Sequence, residues 1–143
     1  MKREAARSEL EILSDPAALQ RVREYVGSVC RELAQPPLDE EETYKVMLAV
    51  QEVVTNIMRH AYGGRTDGTI RFETEAEESR MTISIWHEGT GLDPGIVKEP
   101  AFDGSLEGGF GIYIIARCVD HVHYFSDGNG AHCVSLITIL SGG

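Results

Sequence analysis

Glu52, Asn56 and His60 recur every four residues in EVVTNIMRHAY, His87 opens the segment HEGTG that closes at Gly91, and GGFG runs from Gly108 to Gly111. On a helix, a four-residue step returns side chains to one face. Glycines let a backbone approach a ligand closely, and the free amides at a helix start attract phosphate. A polar-faced helix, a glycine turn closing a strand and a glycine turn opening a helix are together the parts of a nucleotide site, and their order along the chain points to ATP binding. Taken singly, each motif has a plainer reading. A Glu and an Asn four apart usually just face solvent, and GGFG serves equally well as a tight turn.

The elements that must hold these residues can be read from periodicity. SELEIL, from Ser8 to Leu13, alternates as a short strand, and Ser14, Asp15 and Pro16 form a helix start. The helix that follows, to about Ala34, carries Leu19, Val22, Val26, Val29 and Leu33 as a buried stripe, and Pro36 and Pro37 end it. Asp39 caps a second helix with Glu40 to Glu42 in its first turn, where negative charge suits the helix dipole. That helix ends near Tyr62, before Gly63 and Gly64. Its core face is Val46, Val50, Val53, Ile57 and Ala61, and its polar face is Glu52, Thr55, Asn56, Arg59 and His60.

Gly68 to Glu75 and Arg80 to His87 predict a hairpin in which Ile70 and Phe72, then Met81, Ile83 and Ile85, share a parity. His87 has that parity too, so its side chain is expected on the covered side of the sheet, with Glu88 pointing the other way. Gly89 to Gly108 is rich in Gly, Pro and Asp and predicts a loop that acts as a lid. A helix from Gly109 to Val119 and strands at His121 to Ser126 and His132 to Leu140, joined by DGNG, complete an α+β order.

The chain has 143 residues and a formal net charge of -10, which suits one domain over 1–143 and opposes nucleic-acid binding, because the thirteen Lys and Arg are scattered. Cys30, Cys118 and Cys133 show no metal spacing and predict reduced, packed thiols. No apolar run is long enough to span a bilayer and no signal peptide is evident, so a cytoplasmic protein is expected, with no membrane contact. His121 and His123 share a side of one strand, but with no third ligand in view they predict exposed histidines rather than a metal site.

In motif, order and spacing these segments resemble the histidine-kinase-like ATPase superfamily over nearly the whole chain. EVVTNIMRHAY resembles its N box, HEGTGLDP its first glycine box, and EGGFGIYIIARCVDHVHY its second, with Asp120 after the last helix. The small stand-alone branch of anti-sigma-factor serine kinases is the most similar. The resemblance implies a two-layer α/β sandwich, with a mixed, mostly antiparallel sheet of about five strands covered on one face by three helices. ATP would lie between helices and sheet.

By the same resemblance Asn56 matches the Mg²⁺ ligand, and Glu52 the carboxylate that orients or deprotonates the attacking hydroxyl. His60 belongs to the nucleotide-site helix. Gly89 and Gly91 match the glycines bordering the adenine pocket, and Gly109 and Gly111 those that admit the phosphates. The implied function is a serine/threonine-protein kinase and anti-sigma regulator, a homodimer whose partners are a sigma factor and an anti-sigma-factor antagonist. The alternative is a non-catalytic binding module.

One position departs from the family pattern. The first glycine box normally begins with Asp, which accepts a hydrogen bond from the adenine amino group, and here His87 stands there. A neutral imidazole keeps one acceptor nitrogen and protonation removes it, so ATP affinity is expected to fall as pH drops through about 6.5. The segment Glu99 to Phe110 holds no Lys or Arg, which leaves Lys98, Arg59 and Arg65 as the nearby cations.

Overall fold

Alternating burial builds the sheet and decides which face the helices cover. In a computed structural model, which describes residues 5–89 and 109–140, strand β1 is Ala6–Leu13, β2 Thr69–Ala76, β3 Arg80–His87, β4 His121–Ser126 and β5 His132–Ile139. Ile12, Ile70, Phe72, Met81, Ile83, Ile85, Val134 and Leu136 each expose 2% or less of their surface and form the inner face. Their neighbours Glu11, Arg71 and Arg80 are exposed on the other side. One apolar face per strand requires one covering layer, and the helices supply it.

The sheet order is β1-β2-β3-β5-β4. A mixed sheet was the sequence-based expectation, whereas all pairings among the described strands are antiparallel. The physical reason lies in β5. Strands β3 and β4 run in the same direction, as a strand–helix–strand crossover requires, and β5 inserts between them antiparallel to both. This insertion sets His132 directly across from His87.

Helix α1, Leu19–Ser28, follows a 3₁₀ turn at Pro16–Ala18 whose first free amide, on Ala17, donates to the Asp15 carboxylate at 2.9 Å. It ends in a widened turn, Val29–Leu33, closed by the Ala34 amide on the Val29 carbonyl. Val22, Val26 and Val29 are buried, and Leu19 and Leu33 pack at the margin of the core. The Tyr25 hydroxyl donates to the Ser8 carbonyl at 3.1 Å and lies 2.6 Å from the Thr74 hydroxyl, which satisfies a buried polar group beneath α1.

Helix α2, Glu40–Asn56, begins with a reciprocal cap: the Glu42 amide donates to Asp39 at 2.7 Å and the Asp39 amide to Glu42 at 3.2 Å. Its core face holds Val46, Val50 and Val53 at 2% exposure or less. Helix α3, Gly109–Cys118, packs against α2. The Asp120 carboxylate then accepts the Ile139 amide at 2.6 Å, fixing the exit of α3 to β5. The DGNG turn is held by Asp127, which accepts from Asn129 and Ala131.

Cys30 and Cys133 are buried, and burial pushes the Cys30 thiol up to about 11, so it stays protonated as packing. No helix among the described residues is long and apolar enough to cross a membrane. Because the Asp39 cap satisfies an amide that α2 cannot, Asp39→Ala is expected to lower the unfolding free energy by about 1 kcal/mol in denaturant titration. An unchanged midpoint would show that the cap contributes nothing.

Candidate functional site

The site is assembled where the end of α2 meets the end of β3. Past Asn56 the helix widens into a π turn, Ile57–Ala61, in which the Tyr62 amide donates to the Ile57 carbonyl at 3.0 Å. A turn with an extra residue changes where the following side chains point. Glu52 is half-buried and Asn56 buried at 6% exposure, whereas Arg59 and His60 are exposed. The evenly spaced polar face expected from a regular helix therefore holds for Glu52 and Asn56 but does not place His60 in the same buried environment.

Tyr62 closes the junction. Its hydroxyl donates to the Thr69 carbonyl at 2.7 Å and accepts the Glu88 amide at 2.8 Å, so one oxygen ties the helix end to both β2 and β3. Burial raises its pKa, which keeps the donor proton in place. The ring packs so closely on Gly68 that a Cβ there would lie 2.6 Å from it. Arg65 stacks its guanidinium 5.9 Å from the Tyr62 ring centre and is engaged with this junction.

Gly89 shows the tightness of the contact. Its φ is +83°, and a Cβ at this position would stand 2.4 Å from the Ala61 carbonyl oxygen. Only glycine fits both conditions. Gly109 is the first residue of α3 and Gly111 lies in its first turn. Gly91, Lys98 and the expected lid beyond Gly89 fall outside the described residues.

His87 lies on the helix-covered face at 3% exposure, as its parity predicts, and Glu88 is exposed. Its Nδ1 is 2.8 Å from the Glu88 carbonyl, which can only accept, so Nδ1 carries the proton. Nε2 is then a bare acceptor in the neutral ring, and it is buried without a hydrogen-bond partner among the described residues. His132 faces it with ring centres 5.4 Å apart, and its own Nε2 donates to the Gly89 carbonyl at 3.1 Å. Tyr62 presents a ring edge to His87 at 6.4 Å.

Desolvation pushes the His87 pKa below its ordinary 6.5, with the Glu88 carbonyl opposing and His132 reinforcing the shift. The imidazole is thus neutral at physiological pH, and the window for losing its acceptor moves below the 6.5 that an unperturbed histidine implies. His121 and His123 are exposed, and no metal-binding cluster occurs among the described residues. Sequence reasoning missed Tyr62 and His132. The Tyr in RHAY was a visible signal for the first, while His132 is linked to His87 only by strand register.

A family model described as histidine kinase-like ATPase domain matches residues 12–138. An anti-sigma F factor of Clostridium beijerinckii is 34% identical over 107 residues, covering 69% of this chain and 71% of that protein. A serine-protein kinase RsbW of Listeria innocua is 30% identical over 88 residues, 56% of each chain. Among solved structures, the RsbU and RsbW domains of Rv1364c from Mycobacterium tuberculosis align with a TM-score of 0.66 at 15% identity. That alignment covers 93% of this chain but 31% of the other, and it shows a shared fold.

Gly89→Ala is expected to destabilise the protein by at least about 1 kcal/mol in thermal or denaturant unfolding, because it adds a clash to a strained φ. Wild-type stability in that variant would contradict the close approach. For His87, the unfolded chain takes a proton near pH 6.5 and the folded chain only at lower pH. Its favourable contribution is therefore complete above 6.5 and is lost as pH falls toward the folded pKa. Histidine NMR titration is expected to give a His87 midpoint below 6.5, and a midpoint above it would contradict the burial.

Proposed function

The chain belongs to the histidine kinase-like ATPase domain family, and from that premise we propose that it is an ATP-binding anti-sigma regulator. In this reading it acts as a serine-protein kinase on an anti-sigma-factor antagonist, as one cytoplasmic domain over residues 1–143. The observation that carries the nucleotide reading is the His87 Nε2, a buried acceptor with no partner among the described residues at the glycine turn closing β3. A buried acceptor without a donor is costly, and the exocyclic amino group of adenine is a donor of the right kind. The residues present therefore fit the base.

Bound Mg²⁺-ATP would supply the phosphoryl group and the metal charge that eases its transfer. Asn56, buried one helical turn past Glu52, would hold the metal through its amide oxygen. Glu52, half-buried on the same face of α2, would orient the incoming serine hydroxyl and take its proton. Gly89 and Gly91 would border the base, and Gly109 and Gly111 at the start of α3 would let phosphate oxygens reach backbone amides. His60, exposed on the widened turn, would contact nucleotide only at the edge of the site.

The anti-sigma F factor and RsbW relatives support a sigma factor and an antagonist protein as partners. A homodimer accords with the family resemblance, and the net charge of -10 favours partners with basic faces. Glu52→Gln is expected to lower phosphotransfer to a serine-bearing antagonist by roughly two to four orders of magnitude while ATP binding is kept. Undiminished transfer in that variant would remove Glu52 from the chemistry. No transfer from ATP-bound wild-type protein, with partner binding intact, would make the domain a non-catalytic binding module.

A further inference from the structure

We propose that the turn after β3 locks His87 into the tautomer that reads the C6 substituent of a purine, accepting a 6-amino group and refusing a 6-oxo group while the ring is neutral, and reversing that choice when the ring is protonated. The inference rests on the nucleotide reading above and names what the base pocket selects.

The lock is the Glu88 carbonyl, 2.8 Å from Nδ1. A carbonyl has no proton to give, so the neutral ring must keep its single proton on Nδ1 and present only a lone pair at Nε2. Among the described residues that face the ring, the donors are already used. The Tyr62 hydroxyl proton goes to the Thr69 carbonyl and the His132 Nε2 proton to the Gly89 carbonyl. With Nε2 buried and unpartnered among the described residues, the missing donor must come from outside this cluster.

A 6-amino purine brings that donor. A 6-oxo purine brings a second acceptor at C6, so two lone pairs would meet at a nitrogen that is buried from water. A carboxylate at this position would discriminate similarly at every neutral pH. Imidazole differs, because its cation carries protons on both nitrogens: Nδ1 still serves the Glu88 carbonyl while Nε2 becomes a donor, matched to a 6-oxo group and mismatched to a 6-amino group.

Among the described residues the titratable groups around His87 are few: His132 faces the ring, and Glu11, Arg71 and Glu88 line the pocket His87 borders. From β5 the ring meets His132, from the end of α2 the uncharged Tyr62, and across β2 the apolar Ile70. Glu88, on the turn, has an exposed side chain. Burial and His132 both hold protonation below the ordinary value, so the reversal belongs to acid conditions.

The test is calorimetric titration of the whole chain with Mg²⁺-ATP and with Mg²⁺-ITP, at about pH 8 and about pH 5. Triphosphate protonation is common to both ligands and cancels in their ratio. At the higher pH, ATP is expected to bind at least roughly tenfold more tightly than ITP, and at the lower pH that ratio should shrink or invert. In His87→Asp the preference for ATP should persist at both values. Nitrogen NMR of the unliganded wild-type protein should show Nδ1 protonated and Nε2 bare at neutral pH, a readout that needs no variant to fold.

Equal affinities for ATP and ITP at the higher pH, or a ratio indifferent to pH in the wild type, would each overturn the inference and leave the nucleotide reading standing, whereas a proton on Nε2 at neutral pH would overturn the inference and also remove the acceptor on which that reading rests. Binding of neither nucleotide by folded protein would overturn both.

Discussion

The backbone contact between the end of α2 and the end of β3 sets the terms for everything around it. A Cβ on Gly89 would stand 2.4 Å from the Ala61 carbonyl, so the two chain segments meet with no side chain between them. Tyr62 closes the contact by giving its proton to Thr69 and taking the Glu88 amide. Helix end, hairpin and glycine turn thus share one hydrogen-bonded oxygen. Loosening any of the three would displace the other two, and with them the ring of His87.

From this constraint follows the electrostatic character of the site. A histidine held at 3% exposure gains little from water as a cation, and the second histidine across the ladder makes a charge less welcome still. The ring stays neutral and its tautomer is fixed by a backbone carbonyl, so it presents an uncharged, buried acceptor. At this position the chain carries a conditional acceptor, His87, where a carboxylate would be a permanent one. A charged carboxylate would be indifferent to mild acid, and a buried imidazole is not.

Much of this was legible in the sequence because it depends on local periodicity. Strand parity placed His87 on the covered face, the four-residue step placed Glu52 and Asn56 together, and Asp39 with the acidic run Glu40 to Glu42 announced the start of α2. The glycine turn at Gly89 was legible as the end of β3. What was not legible depends on tertiary geometry. The widened turn at Ile57–Ala61 has no distinctive composition, yet it leaves His60 exposed and brings Tyr62 to two strands. His132 faces His87 because β5 inserts beside β3, a pairing between residues far apart in the chain. The antiparallel order throughout the described sheet has the same origin.

In the proposed function the buried junction holds the nucleotide, with His87 on the base and Asn56 on the metal. The most direct measurement is a Mg²⁺-ATP titration of isotope-labelled protein, following the His87 ring nitrogens and the Asn56 side-chain amide by NMR. Both groups are expected to shift saturably and with one common affinity, His87 Nε2 moving in the direction of an accepted hydrogen bond. No saturable change at either group of the folded protein, or ATP shifts confined to surface residues away from the α2–β3 junction, would contradict nucleotide binding at this junction.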